Sequence, residues 1–520
     1  MAKYNPAMRT YYQNKLASQL ELASDEGFLQ LIWAGNALQS GAEAAAAPYL
    51  AYNYPKAVVT TDVASPSHMY KWELETLANE LLTTSKRDQS RDKRLRALTS
   101  DSLPNLLNAL NALRKLENQE ASRGLNNTTI FREVARIANR QFDWQRGYLN
   151  IPQFYRSTFV YGQGACASHF EAAHGISVNT FSAIGFAMYT SLSSDPVFHR
   201  YSDLSALGIS RDQMEQAFRL LSRPHLEMRK LASTERAGIF HTAYRPSVLR
   251  RFPSISFGDR SERIRAPLPQ LIIERVTSGV FYDVVNGGGA VRADYGARFQ
   301  QYCLLYLQAA LPGLGWEAEH EYYNGRARHD TPDILSVTEG EIGLAIECKA
   351  TRMGYGARFG ADIDERGYED LVKAVVQLWR FFAHCRLGLT GRTVSTDAVG
   401  AVLTLDSWLS MAHPLQAEVM AKAAARADAD PQITNVDRRN IGFVQITALE
   451  HTLVRATEAS FTATMRAIAN PDRHGWILSG VHNDFEEKDQ AAREYPFKGD
   501  LGRLLPWCSD LDAVRATRSA

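Results

Sequence analysis

The sequence is poor in several of the features that most quickly betray a function. Only five of its 520 residues are cysteine (Cys166, Cys303, Cys348, Cys385 and Cys508), and no two form a C-x-x-C pair. That argues against a structural zinc site or a disulfide framework. No uninterrupted apolar stretch reaches the length of a bilayer span. The opening MAKYNPAMRTYYQNKLASQL is polar and lacks the apolar core of a signal peptide. A reduced, cytoplasmic location without a membrane partner is the expectation. Excess charge of one sign is missing too, because 58 basic side chains face 57 acidic ones. Any surface for nucleic acid must then be a local patch. The glycines of NGGG, residues 286–289, are followed by no Walker lysine and lack G-x-G-x-x-G spacing. They read as a mobile connector. No internal repeat is visible, and low complexity is confined to short alanine-rich patches such as AEAAAAPYLAY.

What remains is a globular composition, 45% hydrophobic and 22% charged, long enough for two or three domains. Residues 1–230 read as a mainly helical regulatory or targeting domain. In SPSHMYKWELETLANELL, Ser65 can cap, Pro66 suits a first turn, and Tyr70, Leu74, Leu77 and Leu81 share one face. SLPNLLNALNALRKLE is a second helical candidate. GISRDQMEQAFRLLS is a third, with Ser210 as its cap; a bundle helix is a better account of it than a helix-turn-helix. The basic run TSKRDQSRDKRLR suits a solvated loop more than a phosphate contact. FREVARIANRQFDWQRGYLNIPQFYRSTFVYG interleaves aromatics with arginines. It could stack bases, but Phe131, Val134, Ile137 and Ala138 fall at helical spacing, which favours core packing.

From residue 231 the texture changes. IRAPLPQLIIERVTSGVFYDVV carries β-branched and aromatic runs, and ADYGARFQQYCLLYLQAAL is a helix stopped by Pro312 and Gly313. AVGAVLTLDSWL and NIGFVQITALEHTLV read as strands leading into helices. Alternation of this kind between about 290 and 465 indicates an α+β or α/β domain. Residues 231–465 form this second domain, and residues 466–520 a C-terminal extension.

One stretch carries chemistry: TPDILSVTEGEIGLAIECKAT, residues 331–351. DILSV and IGLAIECK flank a polar turn, TEGE. A turn centred on Gly340 sets Asp333 opposite Glu347. Strand alternation then puts Glu347 and Lys349 on one face with Gly343 and Ala345, which leave room for a ligand. Ile342, Leu344, Ile346 and Cys348 point the other way. Two carboxylates can meet one hard divalent cation with an ammonium beside them. A solvated hairpin with a lysine–carboxylate pair would explain the charges, but not their place at the end of an apolar strand.

Pro332-Asp333 followed by Glu347-Cys348-Lys349 resembles the PD-(D/E)XK nuclease superfamily. That resemblance implies a restriction-endonuclease-like mixed β-sheet flanked by helices. It implies Mg2+, or Mn2+ in its place, held by Asp333, Glu347 and the backbone carbonyl of Cys348. Lys349 would assist water attack on a phosphodiester. The spacing alone decides little, because Pro471-Asp472 and Glu486-Glu487-Lys488 repeat it in a polar segment without an apolar strand. On the helix DERGYEDLVKAVVQLWRFF, Gln377 and Phe381 resemble the family's glutamine and the aromatic four residues after it. Lys373 lies one turn before Gln377, and Leu371, Val375, Leu378 and Phe382 form an apolar stripe. The family's preceding helix commonly ends G-x-x-F-E, where this chain has Gly296, Phe299 and Gln300. Gln300 is thus a candidate ligand without charge, and Asp294, Glu319 or Glu321 could compensate. Arg352, Arg358, Lys373 and Arg380 are candidate phosphate contacts.

The resemblance implies a nuclease acting on nucleic acid, DNA before RNA, and by analogy a restriction-type or antiphage-defence effector with a protein partner or a second copy of itself. The alternative is a nuclease-fold binding scaffold with weak or lost catalysis, motivated by Gln300.

Overall fold

In the computed structural model the described residues are 4–51, 54–87, 98–121, 123, 140, 151–354, 365–406, 413–487 and 490–509. Several helices begin where their capping chemistry dictates. Ser210 Oγ accepts the Gln213 amide at 3.3 Å while Gln213 returns to the Ser210 amide at 2.8 Å, opening the helix Arg211–Leu221. The expected helix Leu103–Ala121 is also present. The helix expected from Ser65 starts later, at Lys71, and runs to Thr83. Ser65 instead holds a turn to His68, and Glu73 Oε2 accepts the Tyr70 amide at 3.2 Å, so the residue that can close a cap decides the start.

Aromatics of the helix Ile151–Tyr161 are core residues: Phe154, Tyr155, Phe159 and Tyr161 are all buried. Residues 131–150 other than Arg140, whose guanidinium meets Glu117 at 2.9 Å, lie outside the described residues. So does the basic run beyond Arg87. Lys86 and Arg87 pair with Asp25 and Glu21.

Despite its β-branched residues, LIIERV forms the helix Gln270–Val276, followed by the short helix Phe281–Val284. Leu271, Ile272, Ile273 and Val276 are buried, and tertiary packing overrides their β preference. The NGGG stretch is not the connector expected. Gly288, at φ +88°, opens the 23-residue helix Gly288–Ala310.

Strands β1 (Phe198–His199), β2 (Ser222–Pro224), β3 (Ser254–Phe257) and β4 (Arg263–Arg265) form a small sheet in the order β1-β4-β3-β2. Segments of two to four residues are too short for an alternating pattern to announce them. The larger sheet contains β5 (Trp316–Ala318), β8 (Ile334–Thr338), β9 (Glu341–Lys349), β10 (Thr393–Thr404) and β11 (Ile441–Gln445), ordered β11-β10-β9-β8-β5. It is mixed: β9, β10 and β11 are parallel, whereas β8 and β5 run antiparallel to their neighbours. A separate hairpin joins β6 (Glu321–Asn324) and β7 (Ala327–Asp330).

Helices cover both faces of the larger sheet, giving a mixed α+β architecture. Leu344, Ile346, Ala401 and Leu403 belong to a core shared with the helix Gly288–Ala310 and the helices around residues 151–192. Leu335, Ala345 and Val402 belong to a second core beneath the helix Glu365–Arg386. Among the described residues no helix is long and apolar enough to cross a membrane.

Candidate active site

The β8–β9 turn is tighter than a turn centred on Gly340. Thr338 pairs with Glu341, so the loop is Glu339-Gly340, at φ 54° and 84°. Positive φ at both positions is the signature of the type I′ hairpin. A bulge then adds one residue to β9, since Val337 pairs with Ile342 but Ser336 with Leu344. The extra residue is Gly343, where an added Cβ would meet nothing within 4 Å. The shorter turn and the bulge offset one another. Beyond them Ile334 pairs with Ile346, and continuing the register sets Asp333 opposite Glu347, as the sequence predicts.

The bulge also resets which face each residue uses. Ile342 joins the core under the helix Glu365–Arg386, not the face of Leu344 and Ile346. Ala345 is fully buried there and leaves no open floor for a ligand.

Where β9 ends the charged side chains meet. Asp333 Oδ2 accepts the Cys348 amide, and Lys349 Nζ donates to Glu347 Oε1 at 2.8 Å and to Gln377 Oε1 at 3.2 Å. Glu347 is only 6% exposed. Burial, then the charge of Glu347, pushes the Asp333 carboxyl up to about 8 against the opposing pull of the Cys348 amide and Lys349. Burial likewise raises Glu347, partly offset by Lys349. For Lys349 burial alone would lower proton affinity, but Glu347 and Asp333 more than reverse it, so it remains an ammonium. The Cys348 thiol faces away, toward Cys303 on the helix Gly288–Ala310, and that contact together with burial keeps it protonated.

A third carboxylate stands at the rim. Ala318 on β5 pairs with Ile334, so Glu319 falls opposite Asp333 just as Asp333 falls opposite Glu347. Its amide donates to the Asp333 carbonyl at 3.1 Å, and its charge raises both Asp333 and Glu347. Of the three acids able to compensate for Gln300, Glu319 is the one at the site. Asp294 pairs with Arg298, and Glu321 with Arg328. Gln300 reaches the same point through its amide nitrogen, donating to Glu319 Oε2 at 3.4 Å and to the Asp333 carbonyl at 3.3 Å. The signal for Glu319 was a strand, β5, of only three residues.

The other candidates are dispersed. Lys373 is exposed with its ammonium 3.4 Å from Asp370, and Arg380 pairs with Asp430 at 3.0 Å. Arg352 is buried, donating to the Ser278 carbonyl. Phe381 is a core residue, edge-on to Tyr322. Arg358 lies outside the described residues. The second motif match has no strand among its described residues: Asp472 sits in a single 3-10 turn, and Glu486 follows the short helix Leu478–His482.

Among the described residues no three His, Cys, Asp or Glu side chains converge closely enough to hold a metal ion. Two buried carboxylates that repel one another nonetheless fit magnesium, which binds through one or two carboxylates and keeps several waters. Comparison of the chain with family models, curated proteins and solved structures gives no match.

Proposed function

We propose that the chain is a metal-dependent nuclease with a restriction-endonuclease-like core formed by the mixed sheet and its flanking helices. The observation that supports this reading is the meeting of Asp333, Glu347 and Lys349 at the ends of two adjacent antiparallel strands, with Gln377 completing the group. Asp333, Glu347 and the Cys348 carbonyl would hold magnesium or manganese, which lowers the pKa of bound water and neutralises charge on a phosphodiester. Lys349 supplies a fixed positive charge toward the phosphate oxygens, and Gln377 fixes the position of that ammonium. DNA is favoured over RNA by family resemblance alone, and a restriction or defence role by analogy.

Plasmid, linear DNA and RNA, each incubated with magnesium, manganese or chelator, test the proposal. Metal-dependent cleavage is expected, reduced at least about 100-fold by Asp333→Ala or Lys349→Ala. No cleavage of any substrate with either metal, or cleavage indifferent to both substitutions, would overturn it. One observation favours the scaffold alternative: Gln300 turns a donor nitrogen, not an oxygen, toward Asp333 and Glu319. Nucleic-acid binding without cleavage would select that reading.

A further inference from the structure

Beyond the end of β9, residues 351, 352 and 354 line a cleft of about 1000 Å³ whose other walls come mainly from residues between 174 and 295. Its walls carry seven arginines against four carboxylates. Three of the arginines are neutralised in place. Arg250 meets Glu274 at 2.7 Å, Arg275 meets Asp283 at 2.7 Å, and Arg251 lies 3.4 Å from Glu235. Asp370, the fourth acid, faces Lys373 and the Thr351 hydroxyl.

Arg219, Arg223 and Arg292 form no ion pair with a carboxylate within 4 Å among the described residues, although Glu215 and Glu227 lie near enough to Arg219 and Arg223 to interact with them. The three arginines come from separate elements: the helix Arg211–Leu221, β2 and the helix Gly288–Ala310. The Arg223 guanidinium is pre-positioned, 3.8 Å from the centroid of the Phe252 ring and donating to the carbonyls of Arg219 and Ser222. Burial lowers its proton affinity; the Glu227 carboxylate opposes that shift, and the charges of Arg251 and Arg275 add to it. Arg352, the seventh, is buried and paired with Asp406 at 3.6 Å.

Guanidinium groups without a carboxylate ion pair, brought around one cavity from three elements, match a ligand with several anionic oxygens better than a single carboxylate. The volume lies at the upper end of the range for small-molecule sites and is far too small for a duplex. Leu220, Phe252, Tyr282 and Val285 give the same walls an apolar part.

We propose that this cleft binds a phosphorylated nucleotide, its phosphates held by Arg219, Arg223 and Arg292. The chemistry is shared by a free nucleotide and by the phosphorylated end of a nucleic-acid strand. The proposal does not depend on whether the β8–β9 hairpin cuts anything.

Calorimetric titration of the full chain in chelator with ATP, inorganic triphosphate and a 5′-phosphorylated hexanucleotide tests it. Saturable binding is expected, at least about tenfold weaker in Arg223→Ala/Arg292→Ala and unchanged in Asp333→Ala. ATP and triphosphate binding lost in the double variant supports the free-nucleotide source. Hexanucleotide binding alone, lost in the same variant, supports the strand end. Arg292→Glu, at an exposed helix position, gives the same reading should the double variant fold poorly. Absence of binding by all three probes, or binding indifferent to both arginine variants, would overturn the assignment. Cleavage lost in Asp333→Ala with nucleotide binding intact would separate this site from the hairpin.

Discussion

Asp333 holds its proton far more tightly in the folded chain than it would in water, about 8 against 3.8, because it is buried beside Glu347. The sign of the consequence follows from linkage. A carboxyl with raised folded affinity contributes stability that is complete below pH 3.8 and is lost as pH rises through 8. Without metal, thermal melting should therefore show a fall in stability across that window, and Asp333→Asn should flatten it. A cation must displace the same proton, so magnesium should raise the melting temperature more at about pH 9 than at about pH 6. Protection equal at both would sever the link between Asp333 and metal. Glu319 offers a second test at this scale. If its charge assists the pair, Glu319→Gln should weaken magnesium-dependent cleavage by roughly tenfold while leaving the melting curve in chelator nearly unchanged.

For the β8–β9 hairpin, the sequence was legible in outcome more than in detail. Proline, acid and apolar alternation placed Asp333 opposite Glu347, yet a two-residue turn and a bulge at Gly343 produce that register together. Nothing in TEGEIG distinguishes the pair from a single symmetric turn, because the two solutions differ by compensating single-residue shifts. Lys349 was legible from strand alternation, which puts it on the face of Glu347, and Gln377 through its resemblance to the family's helix glutamine. Glu319 was not singled out among the three acids, since its position depends on β5 pairing with β8 across a long connection. Helix Gln270–Val276 was not legible, because its β-branched residues take their conformation from what buries them. The turn makes its own prediction. Glu339 is an L-residue at positive φ, so Glu339→Asn should stabilise by about 0.5–1 kcal/mol, and Gly340→Val should cost about 1–2 kcal/mol. Urea unfolding midpoints in the opposite order would contradict the type I′ assignment.

Across the whole molecule, one core joins the helical half to a face of the mixed sheet, and buried polar contacts cross the same boundary. Arg156 and Glu450 form an ion pair whose side chains are 8% and 7% exposed, and Tyr302 donates to Glu450 at 2.6 Å. Removing one partner strands the other charge, so Glu450→Ala should lower unfolding free energy by about 3–5 kcal/mol. A loss under 1 kcal/mol by chemical denaturation would mean that water enters there. The far end of the chain returns to this region too. Tyr155 stacks on Phe497 at 5.0 Å between ring centroids, and Trp507 Nε1 donates to Ser182 Oγ at 3.1 Å across 325 residues of sequence. During synthesis the face of Tyr155 that meets Phe497 therefore waits for its partner while more than three hundred residues are still being made. Contacts of such sequence separation form late and leave apolar surface open to aggregation meanwhile. The same delay postpones covering of that ring until Phe497 has been translated.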